Sequence, residues 1–349
     1  MKNGGRNLKI GLFSSYGMKC GIAQYNLSLF HALVELGHSV TIFGNRLETV
    51  RADRRWLIAS GDDVESSDLV RCFNAGAWSE TGDFDYPVMF QELRRRAIEA
   101  VILQYQNGIF NDINLIPLFQ YLRQQQIPVI VTFHDSCIGP HFPFHLVDKF
   151  VCANLQMKQL LPNAHHIPHG VPTPVHFTKD ELKQMFNYQG PLVSTFGLGR
   201  TDYNLISRMA ADLGYKFLVL DSTNSCLVSG DHIIRNTDWL PLDQLMMRLA
   251  AADVIVLWYP EIAACVSSSA VNQALATLRP VIVNDVGWFK DVPEGVVIKV
   301  RNERELQEQL LSINQLGQNQ TQLEFVEERQ WKNVAGKYLK LLAEPNTNK

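Results

Sequence analysis

Short runs of β-branched and aliphatic residues alternate along this chain with longer stretches in which apolar positions recur every three or four residues. LKIGLF (8–13) predicts a strand, and the polar loop SSYGMKCG (14–21) follows it. Ile22, Tyr25, Leu29, Leu33 and Leu36 then form one helical stripe that ends at Gly37, a residue suited to a helix C-terminus. SVTIF (39–43) is the next strand, whereas 45–88 carries no legible period. Beyond it the pattern predicts a helix at 89–99, strand AVILQY (100–105), a helix near 115–125 and strand IPVIVTF (127–133). Two short elements, KFVCA (149–153) and AHHIPHG (164–170), close this half.

VPTPVHFTKDELKQMFNYQG (171–190) is polar and proline-containing, and after it the alternation restarts. PLVSTFG (191–197), KFLVLD (216–221), HIIRN (232–236), DVIVLWY (253–259), PVIVND (280–285) and GVVIKV (295–300) read as strands. Helices are predicted near 203–213, 241–251, 267–277 and 303–313, and an amphipathic helix over 325–342 carries Trp331, Val334, Tyr338 and Leu341. Near-continuous apolar strands between helices mean parallel sheets covered on both faces. The expected fold class is α/β, as two doubly wound units in tandem.

Length agrees, since 349 residues suit two domains of roughly 150 each. The chain is 46% hydrophobic and 19% charged, a globular composition. A net charge of −3 gives no electrostatic case for nucleic acid as a partner. The six cysteines show no metal-ligand spacing, and MKNGGRN at the start lacks the apolar segment of a secretory signal. The expectation is a cytoplasmic protein with reduced thiols. No apolar run approaches the roughly 20 residues that span a bilayer. The basic clusters Arg51/Arg54/Arg55 and Arg94/Arg95/Arg96 admit two readings, a solvated face or peripheral contact with anionic lipid.

In open parallel sheets, ligands bind beyond the carboxyl ends of the strands, so the polar breaks there are the candidates. GMKCGIAQ (17–24) places Gly21 at a helix start, where a backbone can approach a bulky anion, although no GxGxxG follows the first strand. FGLGRTDYN (196–204) delivers Arg200 from a glycine-flanked loop that begins at Gly197, and an arginine fork suits phosphate. His134 and Asp135 end a buried-type strand and could serve acid–base chemistry or hold a substrate hydroxyl. Ser267, Ser268 and Ser269 precede an apolar helix; they read as a helix cap or as an anion site. On a continued strand His165 and His169 would face away from His166, so no metal site is expected. Serine-hydrolase logic fails, because there is no GxSxG elbow and the three serines have no evident base.

Taken in order, CGIAQYNLSLFHALVELGHSVTIF, VTFHD, HIPHGV, WLPLDQLMMRLAAADVIVLWYPE, SSSAVNQALATLRPVIVNDVGWFKDV and WKNVAGKYLKLL resemble segments of the GT-B glycosyltransferases, specifically the retaining family 4 type. The resemblance covers most of the chain. It implies two Rossmann-like domains facing a central cleft: 1–172 for the acceptor, a linker at 173–190, 191–324 for the nucleotide sugar, and 325–349 as a helix crossing back. It implies that Gly21 and the N–H groups at Ser267–Ser269 hold a diphosphate, that Arg200 neutralises it, and that Asn236, Asp238 and Trp239 lie near the base. His134 would meet the donor sugar and Asp135 would lie towards the acceptor. Such enzymes carry no cofactor beyond the UDP- or GDP-type donor and stabilise the leaving group without a metal.

Two positions depart from the family pattern. Its pair of glutamates falls on Cys265 and Gln273, and Glu261 lies four residues upstream of the first. A neutral Gln273 offers a ribose hydroxyl a weaker bond than a carboxylate would. The family's phosphate lysine is replaced near Tyr203 or Asn204. The reading is a retaining glycosyltransferase of polysaccharide biosynthesis, with a glycan or lipid-linked acceptor. Its rivals are a catalytically silent binding module and a nucleotide-sugar epimerase of the same fold; a nicotinamide dehydrogenase lacks its fingerprint.

Overall fold

A computed structural model describes residues 6–59, 66–313 and 319–345. The sequence expectations at the extreme N-terminus and at 346–349 lie outside the described residues. Contacts divide the chain into two units, Met1–Pro168 with Trp331–Lys349, and His169–Gln330.

The first unit is built on β1 (Lys9–Phe13), α1 (Gly21–Glu35), β2 (Ser39–Asn45), β3 (Leu69–Phe73), α2 (Tyr86–Arg95), β4 (Ala100–Tyr105), α3 (Asp112–Gln124), β5 (Val129–Phe133), β6 (Lys149–Cys152), α4 (Leu155–Leu160) and β7 (His165–His166). The strands pair in parallel in the order β3-β2-β1-β4-β5-β6-β7. The unreadable stretch 45–88 contains β3, an edge strand whose register with β2 shifts between Gly44 and Asn45. Its apolar run is short, and a polar stretch precedes it. Helix α2 begins earlier than its apolar period suggested, because Asp85 accepts a hydrogen bond from the Val88 N–H at 3.2 Å and caps it.

The second unit contains α5 (Lys179–Met185), β8 (Leu192–Gly197), α6 (Tyr203–Asp212), β9 (Lys216–Asp221), β10 (Ile233–Asn236), α7 (Leu242–Ala250), β11 (Val254–Leu257), α8 (Ser269–Ala276), β12 (Val281–Asn284), β13 (Ile298–Val300), α9 (Glu303–Ser312) and α10 (Gln320–Glu328). Its parallel order is β10-β9-β8-β11-β12-β13, a doubly wound sheet that reverses direction between β8 and β11. Alternate residues of the same strands supply two cores. Leu218, Leu220, Ile255 and Leu257 join one face, and Phe217, Val219, Val254 and Val256 the other.

The segment 173–190 carries a helix of its own. Thr178 and Glu181 form a reciprocal capping box that starts α5, Leu182 is fully buried, and Lys179 and Lys183 reach Asp253 at 2.5 and 2.6 Å. The predicted tail helix is two helices. It breaks at Arg329 and Gln330, where the Arg329 carbonyl accepts the Val171 N–H at 2.7 Å. After that break α11 (Trp331–Ala343) joins the first unit, packing Val334, Ala335, Tyr338 and Leu341 against the face of α1 that carries Tyr25 and Leu29.

Candidate functional site

At the carboxyl end of the first sheet, the loop after β1 is held from below. The Tyr16 N–H donates to Asn45 Oδ1 at 2.9 Å, and Arg71 donates to the Asn45 carbonyl at 2.5 Å while lying over the Tyr16 ring. Gly17 has φ +72°, and a Cβ there would sit 3.2 Å from the Arg71 guanidinium, so this turn admits only glycine without strain. Gly21 opens α1, whose N-cap Cys20 makes no side-chain capping bond. At the end of β5, His134 Nε2 lies 2.8 Å from Gln104 Oε1. An amide oxygen only accepts, so Nε2 carries the proton. The Tyr25 ring meets the imidazole edge-on at 4.7 Å. Asp135 accepts from Gln106 Nε2 and from the Cys137 N–H, both at 2.9 Å. Below them, the Tyr338 hydroxyl of α11 bonds Tyr25 at 2.9 Å and Thr132 at 2.7 Å.

At the carboxyl end of the second sheet, Gly197 ends β8 and Tyr259 lies two residues beyond β11, the two strands that flank the reversal. Gly197 has φ +138°, and a Cβ there would lie 3.2 Å from the Tyr259 hydroxyl. Arg200 is exposed, and its guanidinium lies 4.3 Å from the centre of the Trp288 ring. Asn236 and Asp238 bond each other at the exposed end of β10, with half-buried Trp239 beside them. Asp221 is fully buried, and its carboxylate accepts from Thr223, Ser225 and the Cys226 N–H, so it braces a loop.

The three serines have three different partners. Ser268 is the N-cap of α8 and accepts the Val271 N–H at 3.4 Å. Ser267 donates to half-buried Asp291. Ser269 Oγ lies 2.8 Å from His169 Nε2. The partner of Ser269 that the sequence did not reveal is therefore His169. Its Nδ1 donates to the Gly170 carbonyl at 2.7 Å, which leaves Nε2 to accept the Ser269 proton. Burial pushes the His169 pKa down to about 4, outweighing the bond to Gly170, and the Arg329 cation acts in the same direction as burial. A neutral imidazole that is so weak a base orients a hydroxyl; it does not activate a nucleophile at neutral pH. The hydroxyl protons of Ser267 and Ser269 are thus directed to Asp291 and His169.

Glu261 does not stand in for the absent carboxylates as a free side chain. Its Oε1 accepts the N–H groups of Gly287 at 2.8 Å and Ile262 at 2.9 Å, and these bonds hold its pKa below the usual carboxylate value. Gln273 is only 7% exposed. The histidines separate: His165 and His166 are the whole of β7 in the first unit, whereas His169 begins the second. Among the described residues no three His, Cys, Asp or Glu side chains group as metal ligands, and no helix is long and apolar enough to cross a membrane. The basic clusters carry acids of their own. Asp53 lies 3.4 Å from Arg51 and 3.5 Å from Arg54, and Glu92 pairs with Arg95 and Arg96.

Sequence reasoning marked His169–Gly170 as a polar break at a strand end without assigning its serine partner, and it missed the roles of Asp291 and Trp288. His169 and Asp291 act on serines far away in the chain, and Trp288 lies in a loop with no period. Only the HG dipeptide at 169–170, just past a strand, gave any signal.

No protein-family model matches the chain. Solved structures do. A pneumococcal O-GlcNAc transferase, GtfA, solved with UDP and GlcNAc, superposes with a TM-score of 0.63 at 10% identity, covering 97% of this chain and 99% of its own. An α-glucosyltransferase solved with UDP and a 13-mer DNA gives 0.65 at 9% identity over 97% and 100%. A UDP-forming α,α-trehalose-phosphate synthase from Burkholderia vietnamiensis gives 0.57 at 12% identity over 96% and 99%. The fold is that of the GT-B glycosyltransferases. At these identities the likeness establishes the fold and leaves the activity to the residues of the site.

Proposed function

We propose that this chain is a retaining glycosyltransferase of the family 4 type, moving a sugar from a nucleotide diphosphate to a glycan or lipid-linked acceptor. The observation that carries the reading is the strand-end face of the second unit. There an exposed arginine without an acid partner and the serine-led start of α8 both suit a diphosphate. The solved neighbours that hold UDP make a UDP-sugar the first donor to test, with GDP-sugars second.

In this reading the acceptor hydroxyl attacks the anomeric carbon from the face the diphosphate leaves. The bond from C1 to the phosphate oxygen breaks, the bond from C1 to the acceptor oxygen forms, and the hydroxyl proton passes to the departing phosphate. Arg200 and the N–H groups of α8 stabilise the charge that develops on the leaving group, without a resident metal. Asn236, Asp238 and Trp239 border the base. His134, oriented by the bond from its Nε2 to Gln104 Oε1, meets the donor sugar. Asp135 faces the acceptor.

A second reading, a silent binding module, is favoured by Cys265 and Gln273 at the family's glutamate positions and by the backbone bonds of Glu261. Incubating the protein with labelled UDP-glucose, UDP-GlcNAc and GDP-mannose and a panel of glycans and lipid phosphates separates the two. The proposal expects an α-linked product from one donor, lost in Arg200→Ala. Nucleotide binding with no product from any donor would favour the silent module.

A further inference from the structure

Arg200 meets Trp288 through its guanidinium at 4.3 Å, and among the described residues it has neither an acid partner nor a hydrogen-bond acceptor. Stacking on an aromatic face restrains a long side chain and leaves its N–H fork open to an anion. Trp288 belongs to a 3-10 turn, Gly287–Phe289, just after β12, and its indole N–H is buried without a partner among the described residues. The ring is thus placed for its face. The turn that carries it is fixed from the loop after β11, because Glu261 Oε1 accepts the Gly287 N–H at 2.8 Å and the Ile262 N–H at 2.9 Å. A Cβ on residue 287 would lie 2.5 Å from the Ile262 carbonyl oxygen and 3.0 Å from Glu261 Oε1, so the two loops meet at a distance only glycine allows.

We infer that Glu261, Gly287 and Trp288 are positioning residues that hold Arg200 for the donor diphosphate, an inference that rests on the nucleotide-sugar reading for its ligand. The carboxylate at 261 then acts through two backbone N–H groups, and touches no sugar or ribose. Bonds from N–H to an ionised acceptor are the stronger kind, but an amide oxygen can make them too. Glutamine should therefore replace Glu261, and alanine should not.

The test begins without ligand. In protein labelled with 15N-arginine, with Arg200→Lys used to assign the signal, the Arg200 Nε–H should be ring-current shifted. The shift should vanish in Trp288→Leu and Glu261→Ala and persist in Glu261→Gln. Melting curves identify any variant that fails to fold, and Glu261→Gln keeps the test alive if the alanine variant does. UDP and GDP titrations then complete a double-mutant cycle on whichever nucleotide binds. Trp288→Leu should weaken binding about fivefold in the parent protein and have no further effect in Arg200→Ala. An unshifted Arg200 signal, a shift indifferent to Glu261→Ala, or equal losses in both backgrounds would overturn the inference. If the relay appears in the spectra but neither nucleotide binds, the relay stands and the nucleotide-sugar reading fails.

Discussion

At the scale of single residues, the serine loop is defined by where its protons go. Ser267 donates to half-buried Asp291 and Ser269 to His169, which is only 4% exposed. Burial raises the Asp291 pKa, and the bond from Ser267 opposes that rise. Ser267→Ala should cost about 1–3 kcal/mol by leaving the carboxyl unserved. Asp291→Asn in that background should recover part of the loss in urea denaturation. No recovery would place the loss elsewhere. His169 gives a pH signature. Its pKa is about 4 when folded against about 6.5 in an unfolded chain, so between those values only the unfolded chain binds the proton. Its contribution is complete above about pH 6.5 and is lost as the pH falls towards 4, on the order of 3 kcal/mol in all. The wild type should lose about that much more stability than His169→Gln between pH 7 and 4; parallel curves would contradict a neutral buried imidazole. None of this was legible beforehand. Three serines before an apolar run announce a helix start, but nothing in the chain says that a histidine 100 positions earlier will take one of the protons.

At the scale of elements, strands were legible where burial on both faces left a near-continuous apolar run, as in AVILQY and KFLVLD. Legibility failed where tertiary partners decide. The edge strand β3 borrows its order from β2, and α5 was concealed by the prolines before it, although its capping box stands in the sequence as TKDE. The tail read as one helix because Phe325 and Val326 continue the apolar stripe of α11, while the backbone at 329–330 leaves the helical path to pair with Val171. Helix α11 is tied to the first sheet by more than apolar packing. Buried Lys149 donates to the Leu341 and Glu344 carbonyls at the end of the helix, and the Tyr338 hydroxyl joins Tyr25 and Thr132. Tyr338→Phe keeps the ring and removes those two hydroxyl contacts, so it should lower stability by about 1–3 kcal/mol. A melting temperature equal to that of the wild type would show that the network contributes nothing.

At the scale of the whole molecule, two parallel sheets each end in a polar face, and the candidate residues fall on those faces. The alternation of apolar runs and helical periods was enough to locate both sheets, because in a doubly wound sheet the ligand side follows from topology alone. A candidate for chemistry stood out in the sequence only where a residue type is conspicuous in its setting, as Arg200 is between Gly199 and the polar TDYN. Charge offers little further guidance, since −3 over 349 residues favours no anionic polymer as acceptor. The central claim is that the face formed by Gly197, Arg200, Trp288 and the start of α8 binds a nucleotide diphosphate. Titration calorimetry of the wild type and of Arg200→Ala with UDP and GDP, each beside its nucleoside, tests it most directly. The account predicts that one nucleotide binds the wild type far more tightly than its nucleoside does, and that Arg200→Ala loses about tenfold or more of that affinity. No binding of either nucleotide, or affinity indifferent to Arg200, would contradict it.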